Sequence, residues 1–389
     1  MKVYHQTGFR FIWNIDSYIQ GVGDGLIFSP VNISSDELES IDESIKKSSF
    51  LDPQLYLPSQ EKGQLITYNY FPLNFIPGFT TIALHSQQDM LAKECVDIQV
   101  RNDFEYIVIP CRYYDEFPTN YFDNQTEFYI DPFCKYISTL DLAKKILITV
   151  VVKPIMLTDV AKRDDILNWI TSQQNIDGIY LIFENNFLTK QIKDVDFLFG
   201  ALQFIDLIKF NGLEVHIGYC NVEGLLYSAA NPDSITIGSY ENLRHFKVKR
   251  FEVVEKQQMK GPNARIYSGL LCQWIDYSYL ASLKALYPNY NLMLEDSDFK
   301  LAMFEASYKW HFSKPQPYKH FFKVFYDQTK LLPVNQDDRI PYLKTLFSKA
   351  IDEFEIIKNK VRLDPDSDGS HLYIWLNVLS MYEDFKNNS

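Results

Sequence analysis

Short apolar runs recur along the chain and alternate with stretches of helical periodicity. Strands of a parallel sheet are buried on both faces, so they read as unbroken runs of β-branched and aliphatic residues. Eight such strands predict an α/β fold, a (β/α)8 barrel of the TIM type. A doubly wound open sheet is the alternative. The predicted strands are Gly25–Ser29, Ser49–Asp52, Tyr106–Pro110, Ile146–Val152, Gly178–Phe183, Glu214–Gly218, Ser234–Gly238 and Arg265–Leu271.

The remaining segments divide the chain around this barrel. We predict an N-terminal cap over residues 1–24, the barrel over residues 25–290 and a C-terminal helical appendage over residues 291–389. Within the first segment, residues 1–20 are predicted to form either extra strands or a cap before the first barrel strand. Two long insertions rich in aromatic residues, 57–80 and 113–135, interrupt the alternation of strands and helices. Insertions of this length often carry function or pack as a lid.

The composition limits the classes of ligand that the protein is expected to bind. The formal net charge of −12 opposes binding of bulk nucleic acid. The five cysteines lack the paired spacing of a zinc site, so we predict no metal. No glycine-rich phosphate-binding motif follows a strand, so we predict no cofactor.

The chain begins without a signal-peptide pattern, and no apolar run reaches membrane-spanning length. We therefore expect a cytoplasmic protein that does not associate with a membrane.

The second predicted strand ends in Asp52, which is followed by Gln54 and Tyr56. Functional groups of parallel barrels lie at the carboxyl ends of the strands, so these three are candidate ligand-binding residues. A carboxylate at this place can accept the paired N–H donors of a guanine-like edge. The alternative is that Asp52 only caps the turn that follows.

The next three strand ends add four candidate ligand-binding residues. Arg112 can bind an anion or pair with a carboxylate, and Tyr113 can stack on a ligand ring. The alternative for this pair is a surface arginine beside a packed tyrosine. Lys153 can serve as a counter-ion near the barrel mouth, and Glu184 is predicted to lie at the rim.

The segment His216–Arg244 reads as strand, tight turn, short helix, second strand and polar tip, which is a βαβ unit. Its two strand ends carry the remaining candidates: Asn221, Glu223, Tyr240, Glu241 and Arg244.

Neighbouring strand ends predict one pocket that contains Asp52, Arg112, Glu184, Asn221 and Tyr240. Carboxylates at several strand ends can perform general acid–base chemistry, or they can form a hydrogen-bonding cup for a polar ring. The candidate catalytic residues are Glu184, Glu223 and Glu241.

Two segments resemble motifs of the tRNA-guanine transglycosylase family. Gly218–Leu226 is similar to the family's G-x-G-x-P-E-D-L-L turn, and Asp52–Tyr56 is similar to its D-S-G-G-F-Q strand end. The resemblance implies a (β/α)8 barrel and implies that Asp52 reads a guanine or 7-deazaguanine base.

The chain departs from this family at two functional positions. Counting forward from the turn without a gap, the position of the nucleophilic aspartate reads Ile237, between Thr236 and Gly238. None of these side chains can form a covalent glycosyl intermediate. The family's C-x-C-x-x-C…H zinc site is also missing.

Divergent barrels that resemble this family occur in bacterial anti-phage islands, including 7-deazaguanine and CBASS-type operons. The resemblance therefore implies a defence protein that binds a deazapurine or other nucleobase-like ligand, or a base-modified partner. It also implies a protein partner from the same operon. The replaced nucleophile at Ile237 and the net charge of −12 predict no base exchange into tRNA. Two alternatives stay open. One is an active glycosyltransferase or glycosidase that uses a relocated carboxylate, and the other is a structural subunit that binds a partner.

Overall fold

The computed structural model describes residues 1–187, 190–253 and 261–388. Eight parallel strands form one sheet in the order β3-β2-β1-β8-β7-β6-β5-β4. The two outermost strands meet where the backbone N–H of Glu105 donates to the carbonyl of Ser49 at 2.9 Å, so the sheet curls into a nearly closed barrel. This confirms the predicted (β/α)8 fold. The strands are β1 Lys2–Gln6, β2 Gly25–Phe28, β3 Phe50–Leu51, β4 Tyr106–Ile109, β5 Lys145–Val152, β6 Gly178–Phe183, β7 Glu214–Gly218 and β8 Ser234–Gly238.

The N-terminal segment is part of the barrel, and the prediction of a separate cap over residues 1–24 is wrong. Strand β1 pairs in parallel with β2 on one side and with β8 on the other. His5 and Gln6 are fully buried in it because the barrel supplies polar partners. The carbonyl of Val22 lies 2.7 Å from His5 Nε2, and the Tyr180 hydroxyl donates to Gln6 Oε1 at 3.2 Å.

The predicted eighth strand, Arg265–Leu271, lies outside the barrel. Its first four residues form β9, Arg265–Ser268, which pairs antiparallel with β10, Gln273–Asp276. The eight barrel positions are complete without this hairpin. Its residues are mostly buried, partly because a C-terminal helix packs against β9, so the run reads like a barrel strand.

Helices surround the sheet and continue through the C-terminal region. They are α1 Phe11–Ile19, α2 Ser35–Glu39, α3 Glu43–Lys47, α4 Thr81–His85, α5 Gln88–Arg101, α6 Tyr121–Gln125, α7 Asp131–Ile137, α8 Ile155–Thr158, α9 Val160–Ser172, α10 Val195–Phe210, α11 Gly224–Tyr227, α12 Leu280–Leu286, α13 Asp298–Met303, α14 Gln316–Lys330, α15 Arg339–Lys358 and α16 His371–Asn388. A π-helical turn joins α6 to α7. The C-terminal region is helical, as predicted. Helix α14 contacts α1, β8 and the hairpin, and α16 contacts α10.

The aromatic residues of the two insertions belong largely to the core. Tyr68, Tyr70, Tyr121 and Tyr129 are all buried in the apolar layer between the sheet and its surrounding elements. A second apolar cluster, which includes Phe50, fills the barrel interior. The high tyrosine content therefore serves packing in these insertions. None of the helices in the described ranges is long and apolar enough to cross a membrane.

Candidate functional site

A buried carboxylate lies at the centre of the barrel mouth. Asp52 follows β3 and is fully buried, and we call the group around it the mouth cluster: Asp52, Gln54, Tyr56, Tyr180 and Tyr219. The Tyr56 hydroxyl donates to Asp52 Oδ1 at 2.8 Å, and the Tyr219 hydroxyl donates to Oδ2 at 3.0 Å. The backbone N–H of Gln54 adds a bond of 3.1 Å to Oδ1. The carboxylate therefore has protein donors on both oxygens.

The backbone around the mouth cluster is shaped to bring these donors together. Gln54 and Tyr219 both have a φ of 55°, in the left-handed region that is sparsely used by residues other than glycine. Gly218 precedes Tyr219, and a Cβ at this glycine would lie 2.5 Å from the Tyr180 hydroxyl oxygen. A glycine at the end of β7 is therefore needed for Tyr180 to approach Asp52.

Aromatic side chains cover the mouth cluster. The rings of Phe246 and Phe251 lie 5.0 and 4.8 Å from the ring of Tyr56, and Phe246 lies 5.3 Å from Tyr219. Burial raises the pKa of Asp52 to about 6, although its hydrogen bonds from Tyr56 and Tyr219 act in the opposite direction. Base recognition by Asp52 stays a prediction. In this structure both carboxylate oxygens of Asp52 already accept hydrogen bonds from protein donors.

A second acidic group lies at the same end of the barrel. Glu184 follows β6 and accepts a hydrogen bond from the Tyr113 hydroxyl at 2.7 Å. The backbone N–H of Tyr113 in turn donates to the carbonyl of Tyr56 at 2.9 Å, which joins this group to the mouth cluster. The Lys153 ammonium lies 4.5 Å from the centre of the Tyr113 ring. The structure therefore brings Asp52, Tyr113, Lys153 and Glu184 to the same end of the barrel.

Arg112 lies apart from these residues. Its Nη2 donates to the Thr81 hydroxyl at the start of α4 at 3.1 Å, and its guanidinium lies 5.1 Å from the centre of the Tyr114 ring. The predicted single pocket containing Asp52, Arg112 and the later strand ends is therefore wrong. Beyond the end of β4, successive side chains face alternately the barrel interior and the surrounding helices. Neighbouring residues in the sequence therefore lie on opposite sides.

A separate cavity, the rim cavity, lies beyond the ends of β7 and β8. It has a volume of about 320 Å³ and is bounded by the loop after β6, the two strand ends, the β9–β10 hairpin and the region leading into α14. Its aromatic residues are Tyr240, Trp274, Phe312 and Tyr318, and its amide residues are Gln191, Asn221, Asn242 and Asn263. Its charged residues are Lys190, Glu241, Arg244 and Arg265, and Pro262 completes the wall.

The two strand ends position the predicted residues of the rim cavity. A 3-10 turn over Glu241–Leu243 follows β8 and places Arg244 at the wall. Gly238 permits this turn, because a Cβ there would lie 2.7 Å from the carbonyl oxygen of Leu243. On the other strand end, Asn221 Nδ2 donates to the carbonyl of Lys190 at 3.1 Å.

Glu223 lies behind this wall. It is 3% exposed, and its Oε1 accepts the backbone N–H of Asn221 at 3.2 Å. Its second oxygen, Oε2, has no hydrogen-bond donor among the described residues. Burial raises the pKa of Glu223 to about 7, partly offset by its hydrogen bond from Asn221 and the charge of Arg244. Glu223 is therefore a titratable group near neutral pH, next to the rim cavity.

Several residues of both groups were not predicted. Tyr180 and Gln6 lie inside strands, where the sequence gives no sign that a polar atom is used. Trp274 and Tyr318 come from the hairpin and from α14, and Lys190 comes from an irregular loop. A correct assignment of the hairpin could have indicated Trp274, since it would place this residue outside the barrel and near the rim.

Comparison of the chain with protein-family models, with curated proteins and with solved structures finds no match. The relationship to tRNA-guanine transglycosylases, and the operon partner that it implies, therefore stay predictions. Within the described residues, no group of three or more His, Cys, Asp and Glu side chains is arranged to hold a metal ion.

Proposed function

We propose that this protein binds a planar, nucleobase-like molecule, such as a guanine or 7-deazaguanine derivative, in the rim cavity, and that it does not exchange this base into tRNA. The supporting observation is the wall of the cavity, in which four aromatic side chains lie beside four side-chain amides. Aromatic faces stack on planar rings, and amides supply both donors and acceptors for a polar ring edge. The volume of about 320 Å³ suits a small ligand.

A wall variant tests this proposal. We expect Tyr240→Ala to weaken binding of guanine-type ligands roughly 10- to 100-fold, because an aromatic platform contributes about 1–3 kcal/mol per stacked base. Isothermal titration calorimetry with guanine, 7-deazaguanine, and their nucleosides and nucleotides measures the change. Tyr373→Ala, which removes an exposed tyrosine of α16, is the matched control and is expected to bind like the wild type. Equal affinities of the two variants, or no binding by the wild type, would contradict the proposal.

The lack of base exchange is supported by the composition of β8. Ile237 is buried in the apolar layer outside the barrel interior, and the Thr236 hydroxyl accepts the backbone N–H of Cys220 at 2.9 Å. No residue of β8 carries a carboxylate. Incubation with radiolabelled guanine and bulk tRNA is expected to leave the tRNA unlabelled. Robust labelling that depends on the protein would show that another carboxylate acts as the nucleophile.

A glycosidase is the second candidate function, because one acidic side chain does line the rim cavity. Glu241 forms an ion pair of 2.6 Å with Lys190. Burial raises the pKa of Glu241, but Lys190 more than offsets this effect, so the pKa lies below its usual range. An ionised carboxylate suits a nucleophile or general base. Release of free base from nucleosides or nucleotides, abolished in Glu241→Gln, would favour this candidate.

A further inference from the structure

Arg244 carries a buried guanidinium at the wall of the rim cavity. The residue is 8% exposed, and its Nε and Nη1 have no hydrogen-bond acceptor among the described residues. The guanidinium carbon lies 4.1 Å from the centre of the Trp274 ring and 5.6 Å from that of Phe321. Trp274 Nε1 is a second buried donor without an acceptor in the described ranges. Burial lowers the pKa of Arg244 to about 10, so the side chain is still charged at neutral pH.

Glu241 and Glu223 lie near enough to favour the charged form of this guanidinium, but neither forms an ion pair with it. Glu241 pairs with Lys190, and Glu223 Oε1 accepts the backbone N–H of Asn221. No ion pair to Arg244 occurs within the described part of the chain. Burying a charge without an ion-pair partner is unfavourable, and the cation–π contact with Trp274 offsets part of this cost. An anion in the cavity would compensate this charge.

The other basic side chains of the cavity already have carboxylate partners. Lys190 is paired with Glu241, and Arg265 lies 3.7 Å from Asp364 and 3.8 Å from Asp366. Among the described lining residues, Arg244 is therefore the basic group left for a ligand. Three of the four charged lining residues are basic although the whole chain has a net charge of −12. Because Lys190 and Arg265 are paired, the positive charge available to an anion is that of Arg244.

We propose that the ligand of the rim cavity is a nucleotide, whose phosphate binds Arg244 while its base contacts the aromatic and amide wall. This inference rests on the proposed function and adds the ligand class. A guanidinium is planar, carries its donors in a fixed fork and matches the oxygens of a phosphate. Free bases and nucleosides carry no negative charge that could pair with Arg244.

A comparison of nucleotides with their nucleosides tests the inference. We expect at least one of the 5′-monophosphates of guanosine, 7-deazaguanosine, adenosine, cytidine and uridine to bind the wild type at least 10-fold more tightly than its nucleoside. In Arg244→Gln this ratio is expected to fall to within 3-fold. Arg101→Gln removes one positive charge from the exposed surface of α5 and is expected to keep the wild-type ratio.

The possible results distinguish failure of this inference from failure of the proposed function. Equal binding of nucleoside and nucleotide by the wild type would overturn the inference and leave the proposed function standing. No binding of any base, nucleoside or nucleotide would overturn both. Thermal unfolding of Arg244→Gln controls for misfolding, and loss of an uncompensated buried charge is expected to leave the melting temperature unchanged or raised. The wild-type comparison decides the inference even where the variant does not fold.

Discussion

Replacement of Asp52 by alanine is expected to lower the free energy of unfolding by about 3–5 kcal/mol. The variant removes the acceptor of two buried tyrosine hydroxyls and of the Gln54 backbone N–H. Each buried donor left without a partner costs about 1–3 kcal/mol, and truncation also leaves a small cavity. Urea denaturation at pH 7 measures the loss. This prediction rests on the hydrogen bonds by which the Asp52 carboxylate holds the mouth cluster together.

Asp52→Asn is the matched control for this prediction. The amide has the same shape, keeps one oxygen acceptor and can donate to a tyrosine hydroxyl that rotates to accept. We therefore expect less than half of the loss seen for Asp52→Ala. Asp52→Ala within 1 kcal/mol of the wild type would contradict the structural role and would return Asp52 to the role of a free ligand-reading group.

Replacement of Glu223 by glutamine is expected to stabilise the protein in a pH-dependent way. The pKa of Glu223 is about 7 in the folded protein, raised by burial from an ordinary value of about 4.5. The folded state therefore holds this proton to higher pH, and the stability that the neutral carboxyl contributes is lost as the pH rises from about 4.5 to 7. The difference corresponds to about 3 kcal/mol. Glutamine cannot ionise and avoids this loss.

The measurement is the melting temperature of the variant relative to the wild type at pH 5 and pH 8. We expect Glu223→Gln to match the wild type at pH 5 and to exceed it at pH 8. Glu116→Gln, at an exposed position, is the control and is expected to show no such trend. An effect of Glu223→Gln that is the same at both pH values would show that Glu223 is not a buried group titrating near pH 7.

The barrel could be predicted because seven of its strands are short, largely apolar runs that alternate with helical segments. The eighth, β1, was not included in the predicted barrel because Lys2, His5 and Gln6 interrupt the apolar pattern, and the buried polar side chains depend on partners outside this strand. The hairpin was misassigned as a barrel strand because its residues are buried and therefore have the same apolar pattern as a parallel strand. A local sequence pattern indicates whether a segment is buried, but it does not indicate which strand pairs with that segment.

The site was predicted where the residues directly follow strands. Asn221, Tyr240 and Arg244 were expected at neighbouring strand ends and do line one cavity. Asp52 does follow a strand as expected, but it does not line that cavity, and its carboxylate accepts hydrogen bonds from the Tyr56 and Tyr219 hydroxyls. Such tertiary contacts cannot be derived from spacing alone.

The most direct test of the account is a crystal structure of the protein grown with the nucleoside monophosphate that binds most tightly. We predict electron density in the rim cavity, with the phosphate against Arg244 and the base against Tyr240. The mouth cluster should stay intact under Phe246 and Phe251. Density for the base at Asp52 with these two phenylalanines displaced, or an empty rim cavity at saturating nucleotide, would contradict the account.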